Sequence, residues 1–198
     1  MSVQGHIVLS LSVRLFLIAP FQLGRTIMKI TRGDLTDPRV VDLLRSHLTS
    51  ARAHTAAGSA HALDIEGLQA ANVTFWAAWE GATLVAVGAL KMFADDHGEV
   101  KSMHTVPSAR RKGTGSAMLQ HIIAFARSCG LSRLSLETGS WDYFQPAIAL
   151  YRKHGFVECQ PFADYVQDPN SAFMTLDLGH SREPSQSQLR LVRRGDIC

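Results

Sequence analysis

Val106-Pro107-Ser108-Ala109-Arg110-Arg111-Lys112-Gly113-Thr114-Gly115 runs straight into Ser116-Ala117-Met118-Leu119-Gln120-His121-Ile122-Ile123, and this stretch, continuing to Cys129, decides how the chain is read. An apolar-rich run ends at a proline, a basic loop with closely spaced glycines follows, and an amphipathic helix opens from it. Such a loop turns several backbone N–H groups towards one point at a helix N-terminus, where the helix dipole also favours negative charge. Arg110, Arg111 and Lys112 add formal positive charge beside those donors. The stretch reads as a cradle for phosphate or pyrophosphate. A nucleotide-binding P-loop does not match, because Gly-x-x-x-x-Gly-Lys-Ser/Thr after a strand is absent.

The totals bound what surrounds this loop. The chain of 198 residues is 46% hydrophobic and 19% charged, enough to bury a core within one domain with decorated ends. A net charge of +3, from 20 basic and 17 acidic residues, is too small to argue for nucleic acid. Aromatic residues also fail to interleave with basic ones as a base-stacking platform requires. Cys129, Cys159 and Cys198 are widely spaced and odd in number, so neither a disulfide framework nor zinc spacing emerges. No metal is expected, and a reducing cytoplasm is the natural compartment.

Residues 1–27 differ from the rest of the chain. Ile7–Val13 and Leu15–Ala19 are apolar but interrupted by Arg14, too short and too charged for a membrane span. Met1–Gly5 lacks the positive start of a signal peptide. The segment reads as a loosely attached, disordered extension or the product of an upstream start codon. Met28 opens the domain proper, expected over 28–178. The polar run through Glu183-Pro184-Ser185 marks 179–198 as a tail.

Within the domain, Lys29–Thr31 predicts a short strand. Asp37-Pro38 is a helix start, with an N-cap and a proline at the first helical position. Val40, Val41, Leu44 and Leu48 carry that helix to residue 48, before a polar, small-residue loop expected over 49–58. Ala62–Ala71 is a weaker helix candidate. Val73–Trp79 and Leu84–Phe93 flank Glu80-Gly81 as an antiparallel hairpin, and Glu99–Val106 adds a third strand after Asp95-Asp96-His97-Gly98. The period then changes. Leu119, Ile122, Ile123 and Ala126 follow a helical pattern that Gly130 stops. Arg133–Thr138 is a strand separated from Glu99–Val106 by that helix, so the two are expected to be parallel neighbours. Pro146–His154 predicts a short helix closed by Gly155, and Phe156–Gln160 and Ala172–Leu178 predict the last strands.

With Leu150-Tyr151-Arg152-Lys153-His154-Gly155-Phe156 in place, the chain resembles the GCN5-related N-acetyltransferase (GNAT) family. The family's Arg/Gln-x-x-Gly-x-Gly/Ala motif is matched by Arg110, Gly113 and Gly115. Its Ala-x-x-Leu-Tyr-x-x-x-Gly-Phe run is matched by Ala147, Leu150, Tyr151, Gly155 and Phe156. Glu99–Met103 and Leu136–Gly139 further resemble a bacterial subgroup with undefined substrates. Thr114 stands where an aliphatic residue is more usual, and Ala147 where some members carry a CoA-contacting asparagine. The implied fold is α/β with a mixed sheet: an antiparallel meander, then a parallel strand pair splayed around CoA.

The resemblance implies acetyl-CoA as co-substrate and an amine of a small molecule or protein as acceptor, attacked directly in a ternary complex. The pyrophosphate would lie on Arg110, Arg111, Lys112, Gly113, Thr114, Gly115 and Ser116, and pantetheine along the free backbone edge of Met103, His104 and Thr105. Tyr151 matches the family's general acid. Glu99 and Glu137 are candidate bases, with Asp142 behind them. Acceptor contacts would come from early helices and from loops carrying Trp141, Tyr143, Phe144, Phe162 and Tyr165. A homodimer fits the family's habits, and no membrane partner is implied. The competing reading is a CoA-binding regulatory module without turnover.

Overall fold

The computed structural model describes residues 27–56 and 63–179. The expectations for 1–26 and for 180–198 lie outside the described residues. A seven-stranded sheet runs in the order β1-β2-β3-β4-β5-β7-β6. Its strands are β1 (Met28–Arg32), β2 (Val73–Glu80), β3 (Thr83–Met92), β4 (His97–Thr105), β5 (Arg133–Gly139), β6 (Val157–Glu158) and β7 (Ser171–Asp177). The helices are α1 (Pro38–Ala53), α2 (Ile65–Leu68), α3 (Thr114–Ser128) and α4 (Gln145–Lys153). β2 to β4 form the expected antiparallel meander, and β1 pairs antiparallel with β2 at its edge. β5 is parallel to β4 and antiparallel to β7.

Strand alternation divides the core. On β2, Phe75 and Ala77 join one cluster with Val40 and Leu44 of α1, whereas Trp76 and Ala78 join another with α3. Successive side chains of a strand face opposite sides, so the central strands must be apolar on both. β3 meets that demand, being buried without a break from Leu84 to Leu90. α3 inserts Met118, Leu119, Ile122, Ile123 and Ala126 against the sheet. At about 1.5–3 kcal/mol for each large apolar side chain, this face fixes the helix and with it the glycine loop ahead of it.

The helix signals are realised with shifted bounds. Asp37 caps α1, its Oδ1 accepting from Arg39 N–H at 2.9 Å. α1 then continues through Ala53, into the region expected to be loop. Ser50, Ala51, Arg52 and Ala53 contain neither glycine nor proline, so nothing in the sequence stops the helix at Leu48. The candidate at 62–71 contracts to Ile65–Leu68, capped by Asp64 through Gly67 N–H at 2.8 Å. The strand expected over Phe156–Gln160 shortens to Val157–Glu158, the two residues that pair with β7.

Candidate active site

β4 and β5 diverge, and the cause is local. They pair at only three positions, His97 with Arg133, Gly98 with Leu134 and Glu99 with Ser135. Beyond Glu99, β4 is bulged against β3, because the register passes from Ala89/Lys101 to Val87/His104 and sets Ser102 and Met103 opposite Gly88. Ser102 takes a left-handed backbone with φ 52°. A bulge of this kind bends its strand and increases its twist. β5 instead pairs with β7 over its whole length. The edge of β4 that faces β5 is therefore left unpaired by β5 along Met103, His104 and Thr105.

The opening leads to the glycine loop. Arg110 folds back and donates from Nε to the Thr105 carbonyl at 3.1 Å. Arg111 and Gly113 have positive φ, 59° and 91°. Gly113 is the N-cap of α3, no side chain caps that helix, and Ala117 N–H donates to the Gly113 carbonyl at 2.9 Å. The amides of Thr114, Gly115 and Ser116 thus precede the first helical bond. A Cβ built on Gly113 meets nothing within 4 Å, so the loop is open to a bulky anion above it. Arg110, Arg111 and Lys112 are exposed. Thr114 is buried, and only its backbone is offered to the loop. Ser116 Oγ is held by His154 Nε2 at 2.6 Å, which ties α3 to the end of α4. Uncapped amides, added positive charge and an open glycine together fit a pyrophosphate group such as that of acetyl-CoA.

Tyr151 lies on the inner face of α4, 6% exposed. Burial, reinforced by the carboxylate of Glu137, pushes its phenol well above the ordinary range, so it stays protonated across physiological pH. Glu137 is half-buried on β5 and accepts from Ser171 Oγ at 2.6 Å. Glu99 is engaged differently. It is 3% exposed, and its Oε1 accepts from Lys101 Nζ at 3.1 Å and from the Tyr165 hydroxyl at 2.6 Å. Tyr165 in turn accepts from Lys101 at 2.7 Å, closing a buried triangle that pins the loop between β6 and β7 onto β4. Burial and the neighbouring carboxylates of Glu99 and Glu137 push the Tyr165 phenol far up. His104 stands 4.9 Å from His47 of α1, ring centre to ring centre. Burial lowers both to about 4, aided by His104 and Lys101 at His47 and by Arg110 at His104, so both rings are neutral at pH 7. Asp142 is exposed in a short 3-10 turn, Asp142–Phe144, ahead of α4.

Sequence reasoning missed Lys101 and His47 as members of this cluster. Both were readable: Glu99 and Lys101 are opposite charges two apart on one strand face, and His47 continues the inward line of Val40 and Leu44. Tyr165 was placed in an acceptor loop, but its bond to Glu99 spans 66 residues and leaves no local signature. Among the described residues, no group of three or more His, Cys, Asp or Glu could hold a metal ion. No helix among them is long and apolar enough to cross a membrane.

Known proteins agree with this geometry. Residues 40–156 match the model of the acetyltransferase (GNAT) family. The chain is 50% identical over 151 residues to the uncharacterized N-acetyltransferase YsnE of Bacillus subtilis, covering 76% of this chain and 100% of that one. To the uncharacterized N-acetyltransferase YedL of Escherichia coli it is 46% identical over 154 residues, covering 78% and 97%. Among solved structures, the PaiA N-acetyltransferase of Thermoplasma acidophilum in complex with coenzyme A superposes with a TM-score of 0.60. That match has 15% identity and covers 76% of this chain and 99% of the other, and it speaks to the fold. A splayed β4/β5 pair, an uncapped glycine loop and a family match over most of the domain lead to one conclusion: the chain belongs to the GNAT acetyltransferase family and is an acyltransferase.

Proposed function

We propose that the protein transfers the acetyl group of acetyl-CoA to a primary amine by direct attack in a ternary complex. The observation that carries this reading is the break in β4/β5 pairing after Glu99, which opens directly onto the uncapped N-terminus of α3. Acetyl-CoA supplies an activated thioester; the protein supplies position and proton transfer. The amides of residues 111–116 hold the pyrophosphate, and Arg110, Arg111 and Lys112 add charge-assisted contacts. Met103, His104 and Thr105, on the edge of β4 that β5 leaves unpaired, offer backbone groups to the amides of pantetheine, apart from the Thr105 carbonyl that Arg110 occupies.

Loss of the thioester bond leaves a thiolate, and a neutral phenol is a suitable donor to it. Tyr151 has that state and is held by burial on α4. The attacking amine must lose a proton. Of the carboxylates, Glu137 suits this role better. It lies close enough to Tyr151 to raise the phenol, whereas Glu99 is committed to Lys101 and Tyr165. Glu99 acts in our reading as the anchor of the 159–170 loop. Tyr151→Phe tests the assignment, with thiol release falling while CoA affinity is kept. Unchanged turnover in that variant removes Tyr151 from the mechanism.

A further inference from the structure

Two aromatic residues just past the end of β5 face solvent: Trp141 is 46% exposed and Tyr143 39%. They are held firmly. Trp141 Nε1 donates to Asn170 Oδ1 at 3.1 Å, and Ser140 N–H donates to the Asn170 carbonyl at 2.9 Å. Gln145 Nε2 donates to the Ser140 carbonyl at 3.1 Å. Beneath them Phe144 packs so closely over Gly139 that a Cβ there would strike its ring, and Phe144 meets Tyr143 edge-on at 5.0 Å. His54 at the end of α1 stacks on Tyr143 at 3.8 Å, 12° from parallel. His54, Trp141, Asp142 and Tyr143 line a shallow hollow that is open to solvent.

This lining has a definite chemistry. The exposed rings of Trp141 and Tyr143 and the carboxylate of Asp142 attract a cation, through ring quadrupole and charge together. The hollow lies in the turn between the end of β5 and the start of α4, the helix that carries Tyr151. The geometry points to a subsite for the non-reacting cationic nitrogen of the acceptor, making the preferred substrate class an amine with a second ammonium or guanidinium group. Such a group keeps its charge at neutral pH, as lysine does, while the other amine loses its proton at the reaction centre. The inference rests on the acetyl-transfer reading for its kinetic arm and on binding alone for its other arm.

The test uses the full chain and a matched pair, 1,5-diaminopentane and pentylamine, which differ at the far end in charge. For the wild type, calorimetry should detect binding of the diamine and not of pentylamine, and kcat/KM should favour the diamine by about 10-fold or more. Asp142→Asn and Trp141→Leu should each pull that ratio towards one and weaken diamine binding. Trp141→Phe, which keeps a π-face but loses the bond to Asn170, should retain most of the ratio. Equal use of both amines, or a ratio unmoved by Asp142→Asn, overturns the subsite. Diamine binding that Asp142→Asn abolishes, without transfer to any amine, supports the subsite and overturns the acetyl-transfer reading instead.

Discussion

Replacing Gly113 by alanine separates what the glycine loop does for the fold from what it does for the ligand. Gly113 caps α3 at φ 91°, a backbone that an L-residue adopts only with strain of about 1–2 kcal/mol. No steric term adds to this, because a Cβ there meets nothing within 4 Å. At the 2–4 °C per kcal/mol usual for a chain of this length, Tm should fall by about 2–8 °C. Relaxing φ also turns the amides at the start of α3 away from the anion. Losing one or two charge-assisted bonds of about 1.5 kcal/mol each weakens CoA by about 10- to 100-fold. Gly130→Ala is the control, because Gly130 also has a left-handed backbone, φ 81°, with nothing within 4 Å of an added Cβ, but it lies past the other end of α3. Scanning calorimetry and CoA titration of both variants should show Gly113→Ala losing stability and affinity together and Gly130→Ala losing stability alone. Wild-type CoA affinity in Gly113→Ala would refute the loop as the pyrophosphate cradle.

Three further outcomes are expected at the site. Tyr151→Phe should lower kcat by about 10²- to 10⁴-fold with CoA affinity unchanged, read from thiol release and calorimetry. Lys101→Met leaves Glu99 buried beside Tyr165 without its ammonium partner and should cost about 3–5 kcal/mol in urea unfolding. Adding Glu99→Gln should recover much of that loss, and a double variant no better than the single would show that the pair is not coupled. His47 and His104 titrate near 4 in the folded chain and near 6.5 unfolded. Between those values the unfolded chain binds more protons, so their contribution to stability is full above about pH 6.5 and is lost as pH falls towards 4. Urea midpoints across that window should decline with acid and decline less steeply in His47→Leu; the same pH slope in that variant would contradict the burial of His47.

The order of elements was legible because each rests on a local signal. Strand runs of β-branched and aromatic residues, Asp37-Pro38, the helical spacing from Leu119 to Ala126 and the stop at Gly130 all reflect physics acting within a few residues. Bounds were less legible where no local signal decides, as at the end of α1, where only contact with the sheet and Tyr143 says how far the helix runs. The anion loop was readable because its chemistry is carried by backbone conformation that glycine announces. The carboxylate roles were not. Glu99 looks in sequence like a candidate base, and only the fold brings Tyr165 from a distant loop to occupy it. The bulge at Ser102 that opens the strands was equally hidden, since neither serine nor its neighbours demand a left-handed backbone.

Acetyl transfer itself is the central claim, and one measurement reaches it most directly. The full chain is mixed with acetyl-CoA and a panel of primary amines, following free CoA thiol and identifying acetylated amine by mass. Saturable, amine-dependent thiol release matched by one equivalent of N-acetyl product is the predicted result. Tight CoA binding with no release above the enzyme-free rate for any amine would contradict the account.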